Sequence, residues 1–464
     1  MNRRRLFVAI LSVIAVTLAA CGSSSKPSST GGGGSSATTA PPGSTVPAVV
    51  SKVAGTGVTA TTIKVGISLV DFTCISQFVD SVRENQQQVY QAYIDNINAT
   101  GGINGRKIVP DFKTYCPLSS TSDLNVALCT SFADDDKVFA VIGNLTDAAN
   151  DGSAETCLAK KHKTVVITFD LTQQIMDLSP PGMIIFPGAT PERSDEVLFK
   201  LLKKQGTLTG KKVGVLAEAT SEDAVKKVIL PGLKALGVKT GTPAYLTVSG
   251  SDTTAAQAQL SSFIERWKSE DVNALYVTGE DVASQQFMEK VSQGMPGVTL
   301  MTDTGDVLTF GKEEHNKGIK PNPYDGMLIA NGFTPHDYDQ SANWKYCAAI
   351  YKKYTGKTAP DAETKVPGPS GKTLDTNGSI NDACQTLSLF HDVASRVGQY
   401  LNAPNWVSTV NSYGPIANRG GGPYASLSKG KYDFEDTFQL QAFDGTIPPQ
   451  GNWKSLTPYE NIPN

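Results

Sequence analysis

Apolar and polar side chains alternate along Ile63-Lys64-Val65-Gly66-Ile67-Ser68-Leu69, and the β-branched content marks a strand. Val82, Val89, Tyr93 and Ile97, with Tyr90 and Ile94 beside them, then recur at helical spacing. That helix runs out at Thr100-Gly101-Gly102, where glycine takes a left-handed C-terminal conformation without a Cβ penalty. Lys107–Phe112 reads as the next strand. The alternation continues with a helix over Leu124–Ala133, a buried strand over Val138–Gly143 and a helix over Ala148–Lys160. Strands over Thr164–Thr168 and Met183–Phe186 complete this half. Strands spaced by helices in this way predict a parallel sheet covered on both faces.

The rhythm then restarts. Helices are expected over Asp195–Lys204, Ser221–Leu236, Ala256–Trp267 and Ala283–Gln293. Strands are expected over Lys212–Ala217, Tyr245–Val248, Ala274–Val277 and Val298–Met301. Pro231 should kink or divide the second of those helices. Gly326–Ala330 reads as a strand leading back to the first half, followed by helices over Ser341–Tyr354 and Ile380–Leu401. Between them, Pro360–Gly378 is polar, carries Pro and Gly, and reads as a surface loop. Phe438–Phe443 alternates like a terminal edge strand.

The first sixty residues stand outside this pattern. Arg3, Arg4 and Arg5 precede an apolar run, Leu6–Leu18, that is too short to span a bilayer. It ends in Leu18-Ala19-Ala20-Cys21, which resembles the lipobox of bacterial lipoproteins. That resemblance implies a signal peptide over residues 1–20 and lipidation of Cys21. From 21 to 60 the chain is dominated by Ser, Gly, Thr and Pro, a composition that cannot bury enough apolar surface to order itself. Read as a tether, about forty such residues reach on the order of 35 Å.

The remaining length exceeds one comfortable core, so two lobes are expected. The chain holds 41 basic and 44 acidic residues, and removal of the three early arginines makes it more acidic still. A mildly acidic surface argues against nucleic acid as a partner. Seven cysteines become six once Cys21 carries lipid, and an even number in an exported chain reads as a disulfide set. Sequence alone leaves the connectivity open. The pairs that would join neighbouring elements of this fold are Cys74–Cys116, Cys129–Cys157 and Cys347–Cys384.

The strand Ile63–Leu69, the run Asn98-Ala99-Thr100-Gly101-Gly102-Ile103-Asn104-Gly105-Arg106-Lys107 and the later Val141-Ile142-Gly143 resemble the opening of type I periplasmic binding proteins. Closest are the branched-chain amino-acid-binding components of ABC importers. The resemblance covers roughly residues 61–445. It implies an α/β fold of two Rossmann-like lobes with parallel sheets, joined by a three-crossing hinge and closing on ligand. Lobe I would comprise 61–188 and 332–417, lobe II 189–331 and 418–464, with crossings near Gly188, Ile329 and Ala417.

In open parallel sheets, ligands bind beyond the carboxyl ends of the strands. Those ends offer Asp71, Phe72, Asn144, Thr146, Asp147, Asp170 and Thr172 in the first lobe. The second offers Ser221, Glu280, Asp303 and Thr304, with Asp306 close by. A polar residue after a strand is also the ordinary helix N-cap, which is the competing reading for each. By resemblance, the family's carboxylate-gripping hydroxyl falls on Thr146 and a second threonine on Thr172. The family's aromatic position falls on Glu280 and its ammonium-pairing acid on Thr304, a departure that puts a branched-chain amino acid in doubt. The surplus of carboxylates would suit a cationic, amide or polyhydroxyl ligand.

Catalytic and metal signatures are missing from the sequence. Gly55-Thr56-Gly57-Val58-Thr59-Ala60 precedes the first strand, where it cannot cradle phosphate. His162, His315, His336 and His391 show no i,i+4 pairing, so neither a metal site nor a Ser–His–Asp arrangement is expected. The expectation is a monomeric, extracytoplasmic, lipid-anchored solute-binding protein that is not an enzyme and uses no cofactor. It would pass a small polar ligand (an amino acid, an amide or a related compound) to an ABC permease. The alternatives are the same fold acting as a sensor without import and, less favoured, a secreted hydrolase.

Overall fold

The structure is a computed structural model. It describes residues 49–463 apart from 77–80, 84, 118–121, 146–151, 170, 248–252, 306, 333–338, 362–363, 365 and 449. The expected signal peptide and Cys21, Thr146, Asp147, Asp170 and Asp306 lie outside the described residues.

The first sheet is made by β1 (Thr62–Val70), β2 (Lys107–Tyr115), β3 (Ala140–Gly143), β4 (Val165–Ile167) and β5 (Ile184–Ile185). All five are parallel, in the order β2-β1-β3-β4-β5. The second sheet has β6 (Lys212–Glu218), β7 (Ala274–Thr278), β8 (Thr299–Thr302), β9 (Leu328–Asn331), β10 (Thr437–Asp444) and β11 (Asn452–Ser455). From β6 to β9 it is parallel, and it continues as β10 and β11 in antiparallel pairing. Strands β1, β3, β4 and β7 are almost wholly buried along their length, because helices cover both faces.

Six helices matter for the site: α1 (Gln86–Ala99), α2 (Gln173–Asp177), α3 (Pro191–Gln205), α4 (Ala342–Thr355), α5 (Thr376–Val397) and α6 (Ala403–Asn411). Trp344, Phe390 and Trp406 of α4, α5 and α6 pack into the core of the first sheet. Phe199 and Leu202 of α3 pack on one face of the second sheet with Phe438 and Leu440 of β10. The chain therefore passes from the first lobe to the second after β5, back after β9, and across again before β10.

Packing places that last passage beyond Ala417. Ala425, Leu427, Tyr432 and Phe434 still belong to the first core, and the second begins with Phe438. The first and third passages run side by side. Phe186 donates to the Tyr432 carbonyl at 2.9 Å, Phe434 to Phe186 at 3.0 Å, and Glu435 to Gly188 at 3.2 Å.

The opening motif closes a turn at the far end of α1. Gly102 sits at φ +66°, and a Cβ there would lie 2.1 Å from the Arg106 carbonyl, so only glycine fits. Asn98 exchanges two hydrogen bonds with the backbone of Ile108, at 2.9 and 2.7 Å, which pins the helix end to β2. Arg106 reaches the carbonyls of Thr59 and Gln399 at 2.9 and 2.6 Å. The run ties the end of α1 to β2 and to the chain after α5.

Several local readings change. Val82 lies in a short strand, Ser81–Val82, and α1 begins only at Gln86. Pro231 stands directly after a π-turn over Val225–Ile229, and the backbone stays helical from that turn into Leu230–Ala235, so the helix is widened there and not divided. Strand β10 is interior, because β11 covers it. Pro360–Gly378 is not merely surface loop: Val366–Pro367 and Thr373–Leu374 form a small sheet with Ser81–Val82. The segment read as tether is already docked by Val50. Asn405 Oδ1 accepts from the N–H groups of Val50 and Ser51 at 2.7 and 3.0 Å, and Gly55 donates to the Leu401 carbonyl.

Disulfides join Cys74 to Cys116, Cys129 to Cys157 and Cys347 to Cys384. Each links two elements of the first lobe. No helix among the described residues is long and apolar enough to cross a membrane.

Candidate functional site

The carboxyl end of β1 is where the first lobe departs from a plain α/β sheet. Val70, Ile75 and Val82 form a small apolar cluster there with Phe72, Cys74, Tyr115 and Leu374 packed against it. Asp71 caps the one-turn helix Phe72–Ile75, its carboxylate accepting from the Thr73 N–H at 2.9 Å. For Asp71, the capping role is therefore the observed one. Phe72 and Asn144, by contrast, line a shared cavity together with Ser68, Arg83, Tyr90 and Asp382. Asn144 accepts from the Tyr115 hydroxyl at 2.7 Å.

Gly143 makes that approach possible. It sits at φ +116°, and a Cβ there would come within 2.2 Å of the Ser68 carbonyl. Strands β1 and β3 can close to pairing distance at Ser68–Gly143 only because no side chain intervenes.

Arg83 is held by two carboxylates contributed from far along the chain. Its Nε donates to Asp375 at 2.9 Å and its guanidinium also bonds Asp382. Asp375 itself caps α5, accepting from the Gly378 N–H at 2.8 Å. Burial works against the Arg83 charge, but Asp382 and Asp375 outweigh it and its pKa rises. Burial, reinforced by Asp375, pushes the Asp382 carboxyl up against the pull of Arg83. Burial also raises the Tyr90 phenol.

In the second lobe, Asp303 and Thr304 follow β8. Thr278 at the end of β7 donates to Asp303 at 2.7 Å, and the Thr304 hydroxyl donates to Asp303 at 3.2 Å. Burial pushes the Asp303 carboxyl up to about 6 despite these donors, and Glu192 adds to the push. Asp195, buried on α3, accepts from the hydroxyl of Tyr276 in the middle of β7. Burial and the nearby Asp303 hold the Asp195 carboxyl well above the usual range. Ser221 closes the 3-10 turn after β6, half-buried, and the Glu280 side chain lies outside the described residues.

The two carboxyl ends meet through α2 and α3. Thr172 caps α2, accepting from the Ile175 N–H at 3.2 Å, so it too acts as a cap. The next N–H, of Gln173, donates to Glu192 on α3 at 3.0 Å. That bond carries the first lobe's α2 to within reach of the Asp303 group in the second. The structure thus brings Phe72 to Asn144, and Asp303 to Thr304, while Gln173, the residue after Thr172, bonds Glu192 beside Asp303.

Ser68, Arg83, Tyr90, Asp382, Glu192 and Asp195 did not come from sequence reasoning. Asp195 had a signal: it shares a helical stripe with buried Leu198, Phe199 and Leu202, and an acid on an apolar stripe calls for a partner. Arg83 had none, since its partners lie 292 and 299 residues away. Cys129, Cys157 and His162 bring potential metal-ligand atoms together, but the two sulfurs are joined to each other and offer no thiolate.

Two α/β lobes crossed three times by the chain, with polar groups at the carboxyl ends of both sheets, define a two-lobed ligand-binding class. The chain belongs to the type I periplasmic binding protein family, whose model (described as "Periplasmic binding protein") matches residues 62–365. Similar solved structures include a leucine-, isoleucine-, valine-, threonine- and alanine-binding protein from Brucella ovis, 14% identical at TM-score 0.57, over 87% of this chain and 96% of that one. A Rhodopseudomonas palustris solute-binding protein in complex with 3,4-dihydroxybenzoic acid is 16% identical at TM-score 0.53, over 86% and 98%. A fatty acid ABC transporter substrate-binding protein from Thermomonospora curvata is 16% identical at TM-score 0.54, over 88% and 94%. No curated protein matches it in sequence.

Proposed function

We propose that this chain is an extracytoplasmic solute-binding protein that captures a small polar ligand between its lobes and delivers it to an ABC permease. The observation that carries the reading is the family match over residues 62–365, together with buried polar groups at the carboxyl ends of both sheets. Its mechanism is closure: ligand that touches both lobes favours the closed population by its differential affinity. Lipid on Cys21 would hold the body to the membrane by residues 22–49, the stretch ahead of the docked Val50–Gly55. The protein acts as a monomer and binder, without catalysis, cofactor or nucleic acid.

Ligand chemistry in related proteins is broad: the Brucella ovis protein is named for aliphatic amino acids, and the Rhodopseudomonas palustris protein carries a dihydroxybenzoate. For this chain, the carboxylates Asp303 and Asp382 support an amino acid, amide or related polar compound over a purely apolar one. Mass spectrometry of small molecules released from the purified protein tests the reading, with a thermal-shift screen beside it. A bound small polar compound that raises Tm by mass action is the expected result. Turnover of a substrate, or no stabilisation by any solute, would overturn it.

A further inference from the structure

The cavity at the carboxyl end of β1 contains a polar atom without a partner. Ser68 is 1% exposed, and its Oγ makes no hydrogen bond among the described residues. A buried hydroxyl left unsatisfied costs about 1–3 kcal/mol, so native structures seldom leave one without an occupant to bond. The cavity holds ≈ 10 Å³, room for one water-sized group. Around it stand Arg83, a fixed donor, and Asp382, an acceptor, with the Tyr90 phenol and the Asn144 amide beside them.

That lining selects by hydrogen-bond type. A carboxylate only accepts, and would meet Asp382 together with Asp375 behind it. An ammonium only donates, and would meet a guanidinium already held in place. A hydroxyl donates and accepts through a single heavy atom, so it fits the space and can satisfy Asp382 and Arg83 at once while bonding Ser68 Oγ, whereas a carboxamide, with three heavy atoms, exceeds the cavity.

We propose that the Ser68–Arg83–Asp382 cavity is a subsite of the first lobe that takes one neutral hydroxyl group of the bound solute. It rests on the solute-binding reading and narrows the ligand class within it. Arg83 and Asp382 are positioned before any solute arrives, because Asp375 fixes the guanidinium and α5 carries Asp382. The subsite thus discriminates without rearrangement, as a site built to hydrogen-bond a polar group rejects analogues that leave it unpaired.

Calorimetry with L-glutamine, meso-erythritol, L-glutamate and L-lysine tests this on wild-type protein and on Ser68→Ala. Erythritol should bind, at least about ten-fold more tightly than glutamine, glutamate and lysine, the glutamine arm testing a carboxamide against the hydroxyl. Ser68→Ala should weaken the preferred probe by roughly five- to ten-fold while leaving the unliganded Tm unchanged or higher, since it removes an orphan hydroxyl. If Ser68→Ala lowers Tm and leaves affinity intact, the cavity holds a structural water only and the inference fails. Equal or tighter binding of glutamine, glutamate or lysine overturns it as well. Absence of erythritol binding also overturns it, and ligand released from the purified protein then separates the two readings. A released ligand without a hydroxyl leaves solute binding standing, and no released or stabilising ligand removes both.

Discussion

Removing the guanidinium of Arg193 should cost this fold more than any surface ion pair could. Arg193 lies in the first turn of α3, 6% exposed, and reaches Asp433 at 3.3 Å and Asp436 at 2.6 Å. It also donates to the Glu435 carbonyl and, at 2.7 Å, to the Ile462 carbonyl. Lys431, 2% exposed, is the second cation, 3.0 Å from Asp436. Burial and the proximity of Arg193 push the Lys431 pKa down, against the pull of Asp433 and Asp436. Arg193→Met would leave Lys431 to face both aspartates and Glu435 in a dry region where the first and third crossings are paired. Truncating one partner of a buried ionic network costs about 3–5 kcal/mol, much of it the penalty of the charges left behind. Urea unfolding at pH 7 reads this as a lower midpoint at unchanged slope. Arg193→Lys, which keeps the charge but loses the fork, should lose less, and Arg193→Met with Asp436→Asn should recover at least about 1 kcal/mol of the single variant's loss. A loss below about 1 kcal/mol, or a double variant no better than the single one, would refute the reasoning.

Two further outcomes are expected. Cys347→Ser with Cys384→Ser opens a link across 37 residues between α4 and α5, and should cost about 3–4 kcal/mol by loop-closure entropy, read as a fall in Tm against the non-reduced wild type. Asp303, raised to about 6, binds its proton more tightly folded than unfolded. Its contribution to stability is therefore favourable below the unfolded value and lost as pH rises towards 6. Asp303→Asn should raise Tm relative to wild type at pH 7 and lose that advantage near pH 4, and a pH-independent difference would contradict this origin.

What the chain disclosed early was whatever depends on local periodicity. Ile63–Leu69 could be read as a strand because every residue that matters to its pairing lies within it. The Asn98–Lys107 turn was legible for the same reason, its glycines and Asn98 acting on neighbours only a few positions away. Strand β10 was misplaced as an edge because the strand that covers it, Asn452–Ser455, is too short to declare itself. Pro360–Gly378 read as loop because two-residue strands have no periodicity, and their partner Ser81–Val82 lay inside an apparent helix. Among the residues that follow strands, Asp71 and Thr172 are helix caps. Asn144 and Asp303 also follow strands and instead bond polar side chains, so position after a strand does not by itself tell a cap from a residue with other polar partners.

The difference lies in what surrounds the strand ends. Asp71 has only its own short helix to serve, whereas Ser68 and Asn144 face a wall assembled from distant parts of the chain. That wall depends on the segment between α4 and α5: Thr373–Leu374 pairs with Ser81–Val82 and so brings Asp375 to the Nε of Arg83. α5 starts at the next residue and carries Asp382 to the same guanidinium. Arg83 and its two carboxylates are thus positioned by backbone pairing and a helix cap, neither of which requires ligand. A pairing of two-residue strands thus sets the chemistry at the end of β1 while the main sheets and crossings lie elsewhere. Ligand preference in this chain should therefore follow residues 366–382 as much as the loops after the strands, and a deletion confined to the small sheet should alter selectivity before it alters the fold.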